Sequence, residues 1–317
     1  MNTPVSRKGG GLLLTGAQAA HMAESKEARR RWLLVSPAML IIGVAGLAPL
    51  TVILFYSFMS PGPYAGISFE PTFQAWINLV MEEDLFDETL GFNYAHLYIF
   101  SRSIGLALGT TILTLAIGFP TAYFIATRPS TQKNFWLFMI SLPFWSNLLV
   151  RTFAIMMFIR EKGFVNYILL NLDLIDKPLQ IMFTPTAVWI GLVYAYLPLM
   201  VMPLYASMEK IDFRLVEAGY DLYASRWQVL RKVIVPLVKP GIVAGSILVF
   251  IPSIGAYVTP KLLGGGKSLM IGNLISNQFG TSRDWPLGSA LALFLMALVM
   301  VALIIYVKNE TRNTNHG

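Results

Sequence analysis

Six apolar runs, each uncharged or nearly so and each long enough to cross a lipid bilayer, restrict what this chain can fold into. They lie at Leu33–Phe58, Ser103–Thr127, Phe135–Ile159, Thr186–Ser207, Gly241–Pro260 and Pro286–Val307. A helix that rises ~1.5 Å per residue needs roughly 20 residues to traverse ~30 Å of hydrocarbon, and each run supplies about that many. The strict alternation of a barrel strand is absent, so helices are the expected spanning form. Composition agrees. Hydrophobic residues make up 55% of the 317 and charged residues 13%, where soluble domains carry about a quarter charged, and the mean hydropathy is +0.60. The expected fold class is all-α, a polytopic membrane protein with six transmembrane helices.

Lys and Arg set the orientation, because loops retained in the cytoplasm keep them. Most of the 24 basic residues fall on one side: the amino-terminal tail with Arg29, Arg30 and Arg31, the loop with Arg128 and Lys133, the segment Lys210–Lys239, and the carboxyl tail with Lys308 and Arg312. The first loop, Ser60–Phe100, holds Glu70, Glu82, Glu83, Asp84, Asp87 and Glu88 without a single Lys or Arg. Both termini are therefore expected in the cytoplasm of a multi-pass inner-membrane protein. Residues 1–31 read as a mobile cytoplasmic tail, 32–308 as the membrane domain with its core at about 100–308, and 309–317 as a second cytoplasmic tail. The net charge of +7 is then topogenic, and a nucleic-acid partner is not expected.

Several chemistries are excluded or weak. The chain has no cysteine, and His21, His96 and His316 are too scattered for a metal cluster. The run after Arg29–Arg31 is too long for a signal sequence and reads as a retained first helix. Gly264-Gly265-Gly266-Lys267-Ser268 resembles the end of a phosphate-binding loop, but Lys261 stands where the first glycine belongs and no strand precedes it. A flexible glycine-rich turn is the plainer reading.

The basic segment Lys210–Lys239 (within a cytoplasmic loop at 208–239) carries more. Asp212 can cap a short helix through Val216, Glu217 and Ala218, and Ser225 with Gln228 forms a capping box that starts a second. In the second, Trp227, Leu230 and Ile234 recur at helical spacing, opposite Arg226, Arg231 and Lys232. A helix lying on the membrane surface would show the same pattern.

Here the residues carry a resemblance. Glu217-Ala218-Gly219, with Asp221, Tyr223, Ser225 and then Ile234-Val235-Pro236, resembles the Glu-Ala-Ala loop of permease subunits in bacterial binding-protein-dependent ABC importers. Leu142-Pro143-Phe144-Trp145, Leu149-Val150-Arg151, Tyr194 to Pro198, Gly245 to Pro252 and Arg283 to Pro286 resemble the spermidine/putrescine branch, and the likeness runs from about Leu33 to Val307, nearly all of the chain. The resemblance implies the type I importer permease fold and a coupling helix at Glu217 that sits in a groove of a cytoplasmic ATPase, with Ala218 and Gly219 kept small for the fit. It also implies a second permease subunit, two ATPase subunits that bind the ATP and magnesium, and a periplasmic solute-binding protein. The chain itself would bind no cofactor and catalyse nothing. The implied solute is a polyamine; another small nitrogenous solute, such as an opine or amino-acid derivative, is the alternative.

Two departures from the family pattern stand out. Its loop usually has a glycine six residues after the glutamate, where this chain has Tyr223, so the bend is expected to be made differently, with help from Gly219. Polyamine permeases often carry acids in the fifth helix and just beyond it, where this chain reads Gly255-Ala256-Tyr257 and Pro260-Lys261-Leu262. Trp145, Tyr194, Tyr196 and Tyr257 could hold an ammonium over their rings, or simply pack. Pro252 with Gly255 makes the fifth run the candidate for lining the pathway, since prolines break backbone hydrogen bonds where a helix borders a cavity. Arg151, the one charge inside a run, can snorkel outward from ~24 Å along a straight helix, or serve as a gate or partner-subunit contact. An ion-coupled secondary transporter would ordinarily show an internal repeat and buried carboxylates, and the six runs contain no acid.

Overall fold

Each apolar run becomes helix, and the punctuation between runs decides where each helix stops. The structure, a computed structural model, describes residues 16–63, 66–83 and 90–314. The chain divides into two units, Met1–Phe55 and Tyr56–Gly317. The first holds nearly all of α1, Gly16–Tyr56, whose stretch from Leu34 is apolar enough to cross a membrane, with a mean hydropathy of 2.5. Residues 16–31, expected as part of a mobile tail, instead continue this helix. They are rich in Ala, Glu, Lys and Arg, and neither Gly nor Pro interrupts residues 17–36. The rest of that tail, 1–15, lies outside the described residues.

In the second unit the loop after α1 is partly built of sheet. Strands β1, Met59–Pro61, and β2, Ile67–Pro71, form one antiparallel hairpin. Helix α2, Gln74–Val80, leads to a second hairpin of β3, Met81–Glu83, and β4, Leu90–Phe92. The long α3, Tyr94–Ala126, follows, its first turn capped by the Asn93 side chain, which accepts from the His96 amide at 2.9 Å.

The third run is not a straight span. It splits into α4, Ser130–Ser141, a 3-10 turn over Leu142–Trp145, and α5, Leu148–Ile159, which with α6, Phe164–Asn171, is bent by 95° from the first arm. Pro143 has no amide hydrogen to continue the helix, and the Asn147 side chain restarts it by accepting from the Leu149 amide at 2.8 Å. Depth measured along one straight helix therefore does not apply to Arg151.

The bundle core is α3 against α7, Pro185–Met208, and the fifth run. That run also departs from expectation. Helix α9, Arg226–Val229, passes through a π-helical turn at Leu230–Ile234 into α10, Val235–Ile254, so one continuous helix leads from the basic segment into the membrane. It ends at Ile254, six residues before the expected limit at Pro260. Gly255 turns the chain, and α11, Val258–Gly264, α12, Ile271–Gly280, and α13, Trp285–Thr314, complete the fold. Helix α13 runs on through residues 309–314, expected as tail, where nothing in the sequence breaks it; 315–317 lie outside the described residues. Ala122 and Ile125 of α3, Met200, Val201 and Leu204 of α7, and Val238 and Val249 of α10 form one buried cluster. Among the described residues five helices are long and apolar enough to cross a membrane, and the bent pair supplies a sixth crossing if it counts as one span.

Candidate functional site

The polar segment between α7 and α10 folds as an elbow. The Asp212 side chain accepts from the Arg214 amide at 3.0 Å in the turn that leads into α8, Arg214–Asp221, while the N-cap position itself is Phe213, which carries no side-chain cap. At the other end Ser225 and Gln228 make the expected capping box: the Gln228 amide donates to Ser225 Oγ at 3.3 Å, and the Ser225 amide to Gln228 Oε1 at 2.8 Å. One side of the elbow enters the bundle core through Val216, Val229 and Ile234. The other presents Glu217, Ala218 and Asp221 to solvent, and Pro236 is exposed in the first turn of α10. Among the described residues no side chain pairs with the Glu217 carboxylate.

The bend is made at Tyr223 itself, in the left-handed conformation, rather than with the help expected from Gly219. Its φ is +57°. The Tyr223 amide donates to the Tyr220 carbonyl at 2.9 Å and the Ala224 amide to the Gly219 carbonyl at 3.2 Å. These are the two bonds of a helix C-terminal Schellman turn, whose left-handed position glycine usually fills. Gly219 lies within α8 and contributes proximity instead: a β-carbon there would stand 3.3 Å from Val229 Cγ2. The apolar stripe also differs from its sequence reading. Leu230 and Ile234 face the core, but Trp227 is 68% exposed. Between α3 and this elbow lies a hollow of about 770 Å³ bordered by Pro120, Tyr123, Tyr220 and Arg226.

The pathway candidates fall into local pairs. Arg151 is buried, with Nη2 donating to the Ser146 carbonyl at 3.0 Å and Cζ 6.0 Å from the centre of the Tyr194 ring. The Tyr196 hydroxyl donates to the Pro252 carbonyl at 3.1 Å. Lys261 Nζ donates to the Tyr257 hydroxyl at 2.7 Å and stands 5.0 Å from the same ring's centre. Two of the four rings named for an ammonium thus already face a cation of this chain. Trp145 is 86% exposed at the bend before α5, and Gly255 lies open at the end of α10.

The glycine-rich turn is packed at its two ends, Gly264 and Ser268, and exposed between them. Gly265 ends α11 with a φ of +54°, and the Phe183 ring fills the space a β-carbon would need. Ser268 is fully buried and accepts from Arg102 Nη2 at 2.8 Å. Sequence reading missed this link, because Arg102 and Ser268 lie 166 positions apart.

Comparison with known proteins agrees with this architecture. Residues 115–314 match the model of the family described as binding-protein-dependent transport system inner membrane component. The spermidine/putrescine transport system permease protein PotB of Salmonella typhimurium (strain LT2) is 45% identical over 220 residues, 68% of this chain and 77% of that protein. The protein of the same name from Haemophilus influenzae is 36% identical over 260 residues, 82% of this chain and 87% of its own. Among solved structures, a chain of a bacterial ABC transporter involved in import of the acidic polysaccharide alginate superposes with a TM-score of 0.61 at 16% identity, covering 92% of this chain and 99% of that one. At that identity the likeness is one of fold. The chain belongs to the family of binding-protein-dependent transport system inner membrane components, as a multi-pass permease of the inner membrane.

Proposed function

We propose that this chain is a permease subunit of an ABC importer that carries a polyamine, spermidine or putrescine, into the cytoplasm. The observation that carries the solute is the 45% identity to permeases named for spermidine/putrescine transport. Both termini and the elbow face the cytoplasm, in keeping with the Lys and Arg bias of the loops. A second permease chain pairs with this one, two ATPase subunits dock below, and a periplasmic binding protein delivers the solute. ATP and magnesium belong to the ATPase subunits.

The elbow supports the mechanical part of this reading. Glu217 and Ala218 stand exposed on a short helix whose opposite side is fixed in the core by Val216, Val229 and Ile234. A push on α8 is therefore delivered to α9, which continues without interruption into α10. Closure of the ATPase pair on ATP would move this lever and tilt the spans, which is alternating access by rigid elements.

The test is ATP-driven uptake of labelled spermidine and putrescine by the complete complex in proteoliposomes, with binding protein supplied. Saturable uptake with wild-type chain, and its loss in Glu217→Lys while the complex still assembles, is the expected result. Uptake unaffected by Glu217→Lys would refute the coupling role; uptake of neither amine would refute the solute. A reporter fused after Ser225 that is active only in the periplasm would reverse the orientation.

A further inference from the structure

Arg151 is a buried cation without an anion. The residue keeps 9% of its surface, Nη2 has one carbonyl partner, and Nε meets no acceptor among the described residues. Among those residues no carboxylate lies within ion-pair distance. A guanidinium cannot shed its proton to relieve burial. One carbonyl and one ring face at 6.0 Å return only part of what removal from water costs such a group.

The surroundings point outward from this chain. Leu148, three residues before Arg151 and so on the same side of α5, is 41% exposed, Val150 is 66% exposed, and Trp145 at the bend is 86% exposed. This apolar rim, around a single buried cation, would exclude water once covered. The six apolar runs contain no Asp or Glu. A second copy of this chain would therefore offer no acid from its own spans and would add another cation by symmetry.

We infer that Arg151 is completed by a carboxylate carried in a membrane span of the paired permease, so that the cation specifies a distinct partner chain. The guanidinium fork donates two parallel hydrogen bonds to a carboxylate, which fixes register as well as charge. The inference rests on the proposed pairing with a second permease.

The test uses the full complex with a photoreactive benzoyl-phenylalanine in place of Val150. Illumination and mass spectrometry are expected to identify a segment of the paired permease that carries Asp or Glu within its apolar span. Arg151→Glu alone, and Lys in place of that acid alone, should each lower ATP-driven uptake by roughly 30-fold or more, as for one half of a buried charge pair. The two changes together should restore much of it. Crosslinks only to lipid, or to a segment without an acid, in an intact complex would overturn the inference and leave the pairing standing. So would an assembled double variant with no recovery. A complex that purifies without any second permease would remove both.

Discussion

The Tyr196 hydroxyl donates to the Pro252 carbonyl at 3.1 Å, tying the middle of α7 to the last turn of α10. Carbonyls in a helix's final turn lack an intrahelical donor. Here α10 ends two residues later, and the next available amide, that of Ala256, goes to Ser253 instead. Tyr196 thus satisfies an orphan at the point where the fifth span breaks.

Tyr196→Phe should remove this tie and little else. Hydrogen bonds between membrane helices contribute about 0.6 kcal/mol on average, so a small fall in the thermal midpoint of the purified complex is expected. A larger change in uptake than in stability would mark the tie as part of the moving element. An unchanged midpoint would mean that the carbonyl finds another donor.

Tyr223→Gly should stabilise the elbow. Holding a residue with a β-carbon in the left-handed region costs roughly 1–2 kcal/mol, and glycine's greater freedom in the unfolded chain returns about 0.5–1 kcal/mol of that. The side chain is 98% exposed, so little packing is lost. Tyr223→Val, β-branched, should be worse than either. Thermal unfolding of the three variants in detergent orders them, and Val above Gly would contradict the left-handed assignment. If ATPase stimulation falls in Tyr223→Gly while stability rises, the exposed ring touches the ATPase.

Gly219→Ala tests whether the loop needs its smallest residue at this position. An added β-carbon would meet Val229 Cγ2 at 3.3 Å, the movable end of a side chain. Alanine favours a helix interior over glycine by about 1 kcal/mol. Near-wild-type or slightly higher stability with uptake retained is expected. Loss of uptake with stability kept would show that the ATPase groove, rather than Val229, excludes a methyl at this position.

The parts that were legible in sequence are those set by local physics. Apolar length gave the spans, and Ser225 with Gln228 gave the capping box, because both signals are complete within a few residues. The bend before α5 was also written locally, in Pro143, Ser146 and Asn147, but an unbroken apolar run concealed it. The end of α10 at Ile254 was not legible from Gly255 alone, since glycines also occur inside spans, as Gly105 and Gly109 do in α3. The partners of the candidate rings were legible only where they are close in sequence. Lys261 lies one helical turn from Tyr257, whereas Arg151 meets Tyr194 and Tyr196 meets Pro252 across the fold. The left-handed Tyr223 is hidden from sequence for a different reason: propensity argues against a left-handed tyrosine, and the two capping hydrogen bonds outweigh it.

Gly272→Ala should be the most damaging small substitution near the break. A β-carbon at 272 would come within 2.5 Å of the Gly255 carbonyl oxygen and 2.7 Å of that of Ala256. Both are backbone atoms, so α12 would have to move away from the turn that ends α10. Overpacking of this kind costs roughly 1–3 kcal/mol. The same shift would strain the bond from the Asn273 side chain to the Tyr257 carbonyl, now 2.8 Å. Gly255→Ala is the matched control. Its added carbon would meet only Leu295 Cδ2, at 3.9 Å, and its φ of −89° suits any residue. A marked fall in thermal midpoint for Gly272→Ala, with the midpoint of Gly255→Ala close to wild type, is expected. Equal behaviour of the two would mean that α12 does not stay packed against this turn in the working complex, and the break after Ile254 would then move independently of α12.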